Sequence, residues 1–318
     1  MTGYVLRRLG AALGLLVVIS IITFVLTHVV LGDPVQLILG GQGSFATQDQ
    51  FDALRTELGF DQPLYHQYVT WISGLLTGDL GDSYTLPMSV SGAISSALPV
   101  TLELAVLGTI YYVTLGVTVG LLSARRRGTR LDTVASTAST LFQAVPYFAL
   151  AVALIYVGSI VLGIFPPSGY VPFTEDPLGN LHHMVLPVIA VGTPFAGVIA
   201  RFTRGIVLEE MEKEHVKAAR AKGVSSTRVL LNHGLRNASI PLMTTIGMNT
   251  GVLMGGAVVV EEVFAMPGIG SLLVHSILGR DLLVVQSTVL YISVVVIAVN
   301  LAVDLLHGLG DPRMRVAA

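Results

Sequence analysis

Lys213, Lys217 and Lys222 are the only lysines in this 318-residue chain, and they fall together in one short stretch. None of them closes a Gly-x-x-x-x-Gly-Lys-Ser/Thr loop, whose backbone amides and lysine cradle a nucleotide's phosphates. The chain therefore has no route of that kind to binding and hydrolysing ATP. It also lacks a Gly-x-Ser-x-Gly nucleophile turn and a His-Glu-x-x-His zinc helix. With no cysteine there are no disulfides, no thiol chemistry and no thiolate-held metal. The adjacent pair His182-His183 leaves a metal-ligand reading and a structural or interfacial reading open. Helix neighbours do not share a face, which favours the second. No catalytic residue and no metal site is expected. What the lysine-bearing stretch offers is recognition.

That stretch, Glu214 to Pro241, reads EHVKAARAKGVSSTRVLLNHGLRNASIP. His215, Ala218, Ala219 and Lys222 recur at i, i+3, i+4 and i+7, so a helix puts them on one face. Small side chains there allow another surface to approach closely. Glu209–Lys213 and Glu214–Lys217 have the spacing of ion pairs on a solvated opposite side. Gly223 follows Arg220, Ala221 and Lys222, and glycine takes the left-handed conformation that ends a helix at least cost. Ser225 and Ser226 are N-cap candidates for a second short helix, and Pro241 is expected to start the next long one. An ordinary amphipathic connector would carry the same pattern.

The elements that must hold this stretch are membrane spans. Hydrophobic residues make up 53% of the chain and charged ones 12%, with a mean hydropathy of +0.75. Soluble domains carry roughly 25% charged residues. A net charge of −2 gives no indication of a nucleic-acid partner. The first apolar run, Leu9 to Leu31, is about 34 Å long as a helix, against a hydrocarbon core of about 30 Å. It is longer than a signal-peptide core and ends in Gly32-Asp33-Pro34, so it is expected to be a retained span. Residues 32–98 contain no span-length apolar run, and a connection that long is usually functional or carries its own structure. Further spans are predicted at about 99–123, 133–164 (kinked or broken near Pro146), 184–200, 239–260 and 282–309. Pro187 and Pro194 in the fourth imply that it faces protein, where neighbouring helices satisfy the freed carbonyls.

Basic residues orient these spans. With the N-terminus inside, every one of the 18 lysines and arginines except Arg55 and Arg280 falls in an inside segment or the tail. Both termini and the Glu214–Pro241 stretch are therefore expected on the cytoplasmic side of a bacterial-type cytoplasmic membrane. Two carboxylates, Glu103 and Asp304, sit near span ends. The mid-span polar residues Gln143, Asn249 and Thr250 either line a path through the membrane or bond neighbouring helices. Gly116 and Gly120, and the series Gly247, Gly251 and Gly255, are stripes that let helix backbones approach, within the subunit or across an interface.

AARAKG followed by HGLRNASIP resembles the cytoplasmic coupling loop of ABC-importer permeases of the dipeptide/oligopeptide/nickel group. The chain departs from that family's usual Glu-Ala-Ala pattern in having Lys217 before Ala218 and Ala219. LGFDQPLYHQY and GDLGDSY resemble the family's first external loop. Glu261, the Pro-Gly-Ile-Gly at 267–270, Arg280-Asp281, Asn300, Asp304 and Asp311-Pro312-Arg313 resemble its C-terminal part. The resemblance runs over nearly the whole chain and implies an all-α integral membrane protein of about six spans, of type I ABC-importer permease form. Residues 1–98 would be the first span and a long external loop. Residues 99–318 would be a five-span core with its coupling loop at about 201–238.

The resemblance also implies that an ATPase docks on His215, Ala218, Ala219, Arg220, Ala221, Lys222, Gly223, His233, Asn237 and Pro241. The implied partners are a homologous second permease, one or two cytoplasmic ATPases that bind the ATP and magnesium, an external substrate-binding protein, a peptide substrate and the bilayer. Nickel chelates or other small solutes are alternative cargoes. An ion-coupled carrier would need an internal repeat and midplane carboxylates, and an intramembrane enzyme a reactive constellation. No such feature is recognisable.

Overall fold

The computed structural model describes residues 2–32, 34–39 and 47–310. Asp311-Pro312-Arg313 lies outside these, as do the side chains of Asp304, Arg220 and His233. The helices in chain order are α1 (Thr2–Leu31), α2 (Pro34–Leu39), α3 (Gln48–Glu57), α4 (Leu64–Thr77) and α5 (Val90–Arg125). They continue with α6 (Arg130–Ala144), α7 (Tyr147–Leu154, running into a π-helical Ile155–Val161) and α8 (Pro177–Met211). Next come α9 (Glu214–Ala221), α10 (Ser226–Val229, followed by a π-helical Leu230–Leu235), α11 (Arg236–Val263), α12 (Ile269–Leu278) and α13 (Leu282–Gly310). Among the described residues, β pairing is limited to an isolated bridge between Asp82 and Ser89.

Five helices are long and apolar enough to cross a membrane, and the α6–α7 pair makes a sixth if its two arms count as one span. Those arms meet at 102°. The break falls at Val145-Pro146, where both residues are extended. Proline pushes the residue before it out of helical geometry and has no amide to continue the ladder. The long connection after α1 is not featureless, since it contains α2, α3 and α4.

The chain divides into two compact units. The first is built mainly on Thr101–Met266 and centres on α8, which packs with α6, α7 and α11. The apolar window of α8 is 72% buried, against 17% for α1, so its prolines lie among protein as expected. Gly116 and Gly120 of α5 explain one of its close contacts. A Cβ at Gly116 would lie 2.8 Å from the Ala196 carbonyl oxygen, and one at Gly120 would lie 2.6 Å from that of Ala200. The Gly247 series ends on the surface of this chain. Gly255 is exposed and meets nothing, while the neighbouring Gly256 packs on the Tyr147 ring.

The second unit is built on Leu6–Val100 and Pro267–Ile297. Its centre is Asp281, fully buried just before α13. The Asp281 carboxylate accepts Ser83 Oγ at 2.5 Å and both the amide and the hydroxyl of Thr85, at 3.1 and 3.0 Å. Its other oxygen takes the Val284 amide at 3.2 Å, as an N-terminal cap of α13. Two sequence motifs almost two hundred residues apart, GDLGDSY and Arg280-Asp281, are thus halves of one anchor. Burial, and then the nearby Asp281 charge, raise the Tyr84 phenol well above its usual range. Phe24, Trp71 and Leu290 form a second core in this unit.

Candidate functional site

The Glu214–Pro241 stretch runs from just past the end of α8 into the first turns of α11, wholly within the first unit. The expected fourth span ended near Ala200. Instead α8 runs on to Met211, because Thr203, Val207 and Glu210 continue its buried face. Arg201 and Arg204 are therefore helix residues rather than loop residues. Helix α9 then buries Val216 and leaves His215, Ala218 and Lys222 exposed, with Ala219 half-buried. Lys217 pairs with Glu214 at 2.7 Å in the open. The expected Glu209–Lys213 pair is replaced, since Lys213 bonds Glu210. That hydrogen bond raises the Lys213 ammonium above its ordinary pKa, so the group stays charged throughout the neutral range.

Gly223 ends α9 with φ +80°, and the Val224 amide reaches back to the Ala219 carbonyl at 3.3 Å. This is the closing bond of a Schellman turn. Nothing lies within 4 Å of where a Cβ would stand. The need for glycine is thus conformational rather than a matter of space. Lys222 and Ala221 are exposed on the approach to this turn. The backbones of Arg220 and His233 lie in α9 and in the π-helical segment respectively.

Pro241 does not start α11. Helix runs from Ser226 through the π-helical Leu230–Leu235 into Arg236–Val263, and Pro241 lies inside it. Proline within a membrane helix frees the carbonyl four residues back, here that of Asn237, and is tolerated where neighbouring groups satisfy such carbonyls. The π-helical segment packs on α8, with Gly234 facing Val207 and Met211.

Glu210 is the residue that sequence reasoning missed. Its carboxylate is 8% exposed and gathers three segments. Asn237 at the start of α11 donates to Oε1 at 2.7 Å, His215 Nε2 of α9 lies 3.2 Å from the same oxygen, and Lys213 bonds Oε2. Glu210 thus joins the end of α8, the exposed α9 and the start of α11. Its position as the acid that ends one long helix, with an amide at the start of the next, was the available signal.

Asp132 was missed as well. Buried at the start of α6, it accepts Arg204 through both oxygens at 2.7 and 2.8 Å, the Gly128 amide at 2.9 Å and Ser123 Oγ. Bidentate geometry of this kind fixes orientation as well as charge. Arg127 pairs with Glu212 at 2.7 Å on the surface, and Arg201 donates to Gln143 at 2.8 Å. The last turns of α8 therefore carry polar ties to α6, to the α5–α6 turn, to α9 and to α11.

Of the three path candidates, Gln143 is exposed at the end of α6 beside the 102° break. Asn249 bonds the Thr245 carbonyl of its own helix at 2.8 Å. Thr250 joins α11 to α5, with its hydroxyl 2.8 Å from Tyr112 Oη. Glu103 accepts the Tyr170 hydroxyl at 2.7 Å. His182 and His183 bond separate backbone carbonyls, those of Ile164 and Gly179. Among the described residues there is no cluster of three metal-ligating side chains.

Residues 116–316 match the family model described as binding-protein-dependent transport system inner membrane component, and residues 1–105 match the model for its N-terminal part. The chain belongs to this family. A putative peptide transport system permease protein of Brucella abortus is 40% identical over 315 residues, covering 99% of both chains. The glutathione transport system permease protein GsiC of Escherichia coli K12 is 38% identical over 315 residues, again 99% of each. The inward-facing MetNI methionine ABC transporter shares the fold, with a TM-score of 0.58 at 19% identity, over 69% of this chain and 96% of that one. The permease is accordingly a multi-pass inner membrane subunit of the ABC-importer type. Permeases of this type operate with a permease partner, an ATPase and a substrate-binding protein.

Proposed function

We propose that this permease forms half of a translocation pathway for di- or oligopeptides and couples it to ATP hydrolysed elsewhere. A homologous second permease supplies the other half. One or two cytoplasmic ATPases hold the ATP and magnesium, and an external binding protein delivers the cargo. Both termini and α9 then face the cytoplasm, which the distribution of lysine and arginine supports. Relatives named for peptide and glutathione transport support a peptide-like cargo over a nickel chelate. Membership of the importer family supports this reading over an ion-coupled carrier.

The observation that carries the coupling role is the outward face of α9. His215, Ala218 and Lys222 are exposed, the helix ends at a left-handed glycine, and its base is tied through Glu210 to both long helices. An ATPase cleft gripping α9 can therefore pull on α8 and α11 together. Through Arg204–Asp132, a shift of α8 reaches α6. Rigid elements with two packings, biased at one end, are how such transitions spread.

Purification from the native membrane in mild detergent tests the assembly: a second permease and ATPase are expected to come with the chain. Recovery of this chain alone, with uptake that survives ATP depletion, would overturn the reading. Ala218→Trp is expected to weaken ATPase association while membrane insertion is kept. An undiminished complex would remove α9 as the docking element.

A further inference from the structure

Helix α4 divides lengthwise into three stripes. Tyr68, Trp71 and Leu75 face inward, packing in the core that holds Phe24 of α1 and Leu290 of α13. Tyr68 Oη lies 2.8 Å from Ser20 Oγ, and Gln67 Oε1 lies 3.2 Å from His28 Nε2, so α4 is fastened along the His28 half of α1. His66, Thr70, Ser73 and Thr77 form a polar stripe that lines a cavity of about 650 Å³. Between these two stripes runs a third, Tyr65, Val69 and Leu76, at i, i+4 and i+11, bordered by Ile72, which packs against the inward core. Tyr65 is 71% exposed, Val69 61% and Leu76 80%, and among the described residues none covers them.

We infer that α4 lies in the plane of the membrane with this third stripe in the acyl–headgroup boundary of the outer leaflet. Three observations choose lipid as the occupant. The stripe is continuous with a bilayer-facing surface, because α4 is fastened to α1, whose own flank is exposed and apolar at Ile21, Ile22, Val25, Leu26 and Val29. At about 21 Å, α4 is too short to cross a hydrocarbon core of about 30 Å. Its polar and apolar stripes stand about a quarter-turn apart on the surface left free by packing, the pattern of an interfacial helix. The helix carries no Lys, Arg, Asp or Glu, so apolar burial holds it without attraction to anionic headgroups.

Placement in the outer leaflet rests on the orientation proposed above; insertion at an interface does not. The chain has no cysteine, so single cysteines introduced into the full-length permease report without background. Nitroxide labels would be placed at Val69→Cys and Leu76→Cys, and at Ser73→Cys and Thr77→Cys, in vesicles of phosphatidylcholine with and without phosphatidylglycerol. Labels at 69 and 76 are expected to collide more with oxygen than with a water-soluble nickel chelate. The order should reverse at 73 and 77, with no change on adding phosphatidylglycerol. Preferential collision with the nickel chelate at 69 and 76 would overturn the inference by placing the stripe in water. Protection from both reagents would overturn it in favour of a protein partner. Sidedness is read separately, by labelling Thr77→Cys in intact cells with a membrane-impermeant thiol reagent. Failure to label from outside would invert the topology and leave the interfacial placement standing.

Discussion

Two carboxylates hold this molecule together at two places, and they do so differently. Asp281 is fully buried and satisfied by neutral donors, two hydroxyls and two backbone amides, within the second unit. Glu210 is nearly as buried, but its partners Lys213 and His215 are about half exposed. Hydroxyls and amides locked in a turn have nowhere else to go. A lysine and a histidine on the surface can exchange their carboxylate for water or for a partner's groups. The first arrangement is a rivet, and the second suits a joint that must shift when α9 is gripped.

The contrast can be tested by removing each part. Asp281→Ala should have the largest effect, because it strands the buried donors at Ser83, Thr85 and Val284. A loss of about 3 kcal/mol or more is expected, read as a collapse of folded yield or melting temperature. Glu210→Ala should cost less, about 2 kcal/mol, since Lys213 and His215 reach solvent and only Asn237 loses a sheltered acceptor. Its larger effect should be on uptake per ATP hydrolysed. A melting temperature that falls as far as in Asp281→Ala would remove the distinction between rivet and joint.

Gly223→Val should cost about 1–2 kcal/mol locally, because a β-branched side chain resists positive φ. Uptake should fall steeply while the complex still assembles, and unchanged uptake would deny the turn a coupling role. Lys217→Ala, which removes an exposed pair, should change stability by only ~0.3 kcal/mol. A greater loss would mean that Lys217 does more than pair with Glu214.

Most of the spans were legible because their cause is local. A run of apolar side chains longer than the bilayer is thick, a proline at 146 and a glycine at 223 act on the backbone where they stand. Boundaries were less legible. The C-terminal end of α8 is set by which residues find buried neighbours, and Pro241 lies inside α11 rather than at its start. The glycine series reaches the surface at Gly255 for a related reason: a four-residue step drifts around a 3.6-residue helix, and Gly256 rather than Gly255 meets Tyr147.

Taken by itself, the sequence determined a chain of membrane helices, a break in the third span, the small-residue face of α9 and its left-handed stop. These follow from propensity, periodicity and length. Only the tertiary structure decided that Glu210 meets Asn237, that Asp132 clamps Arg204, that Asp281 holds Ser83 and Thr85, and that α4 turns one apolar stripe inward and leaves another bare. Each depends on which distant side chain comes within 3 Å or so, a matter of helix packing that one-dimensional spacing does not carry.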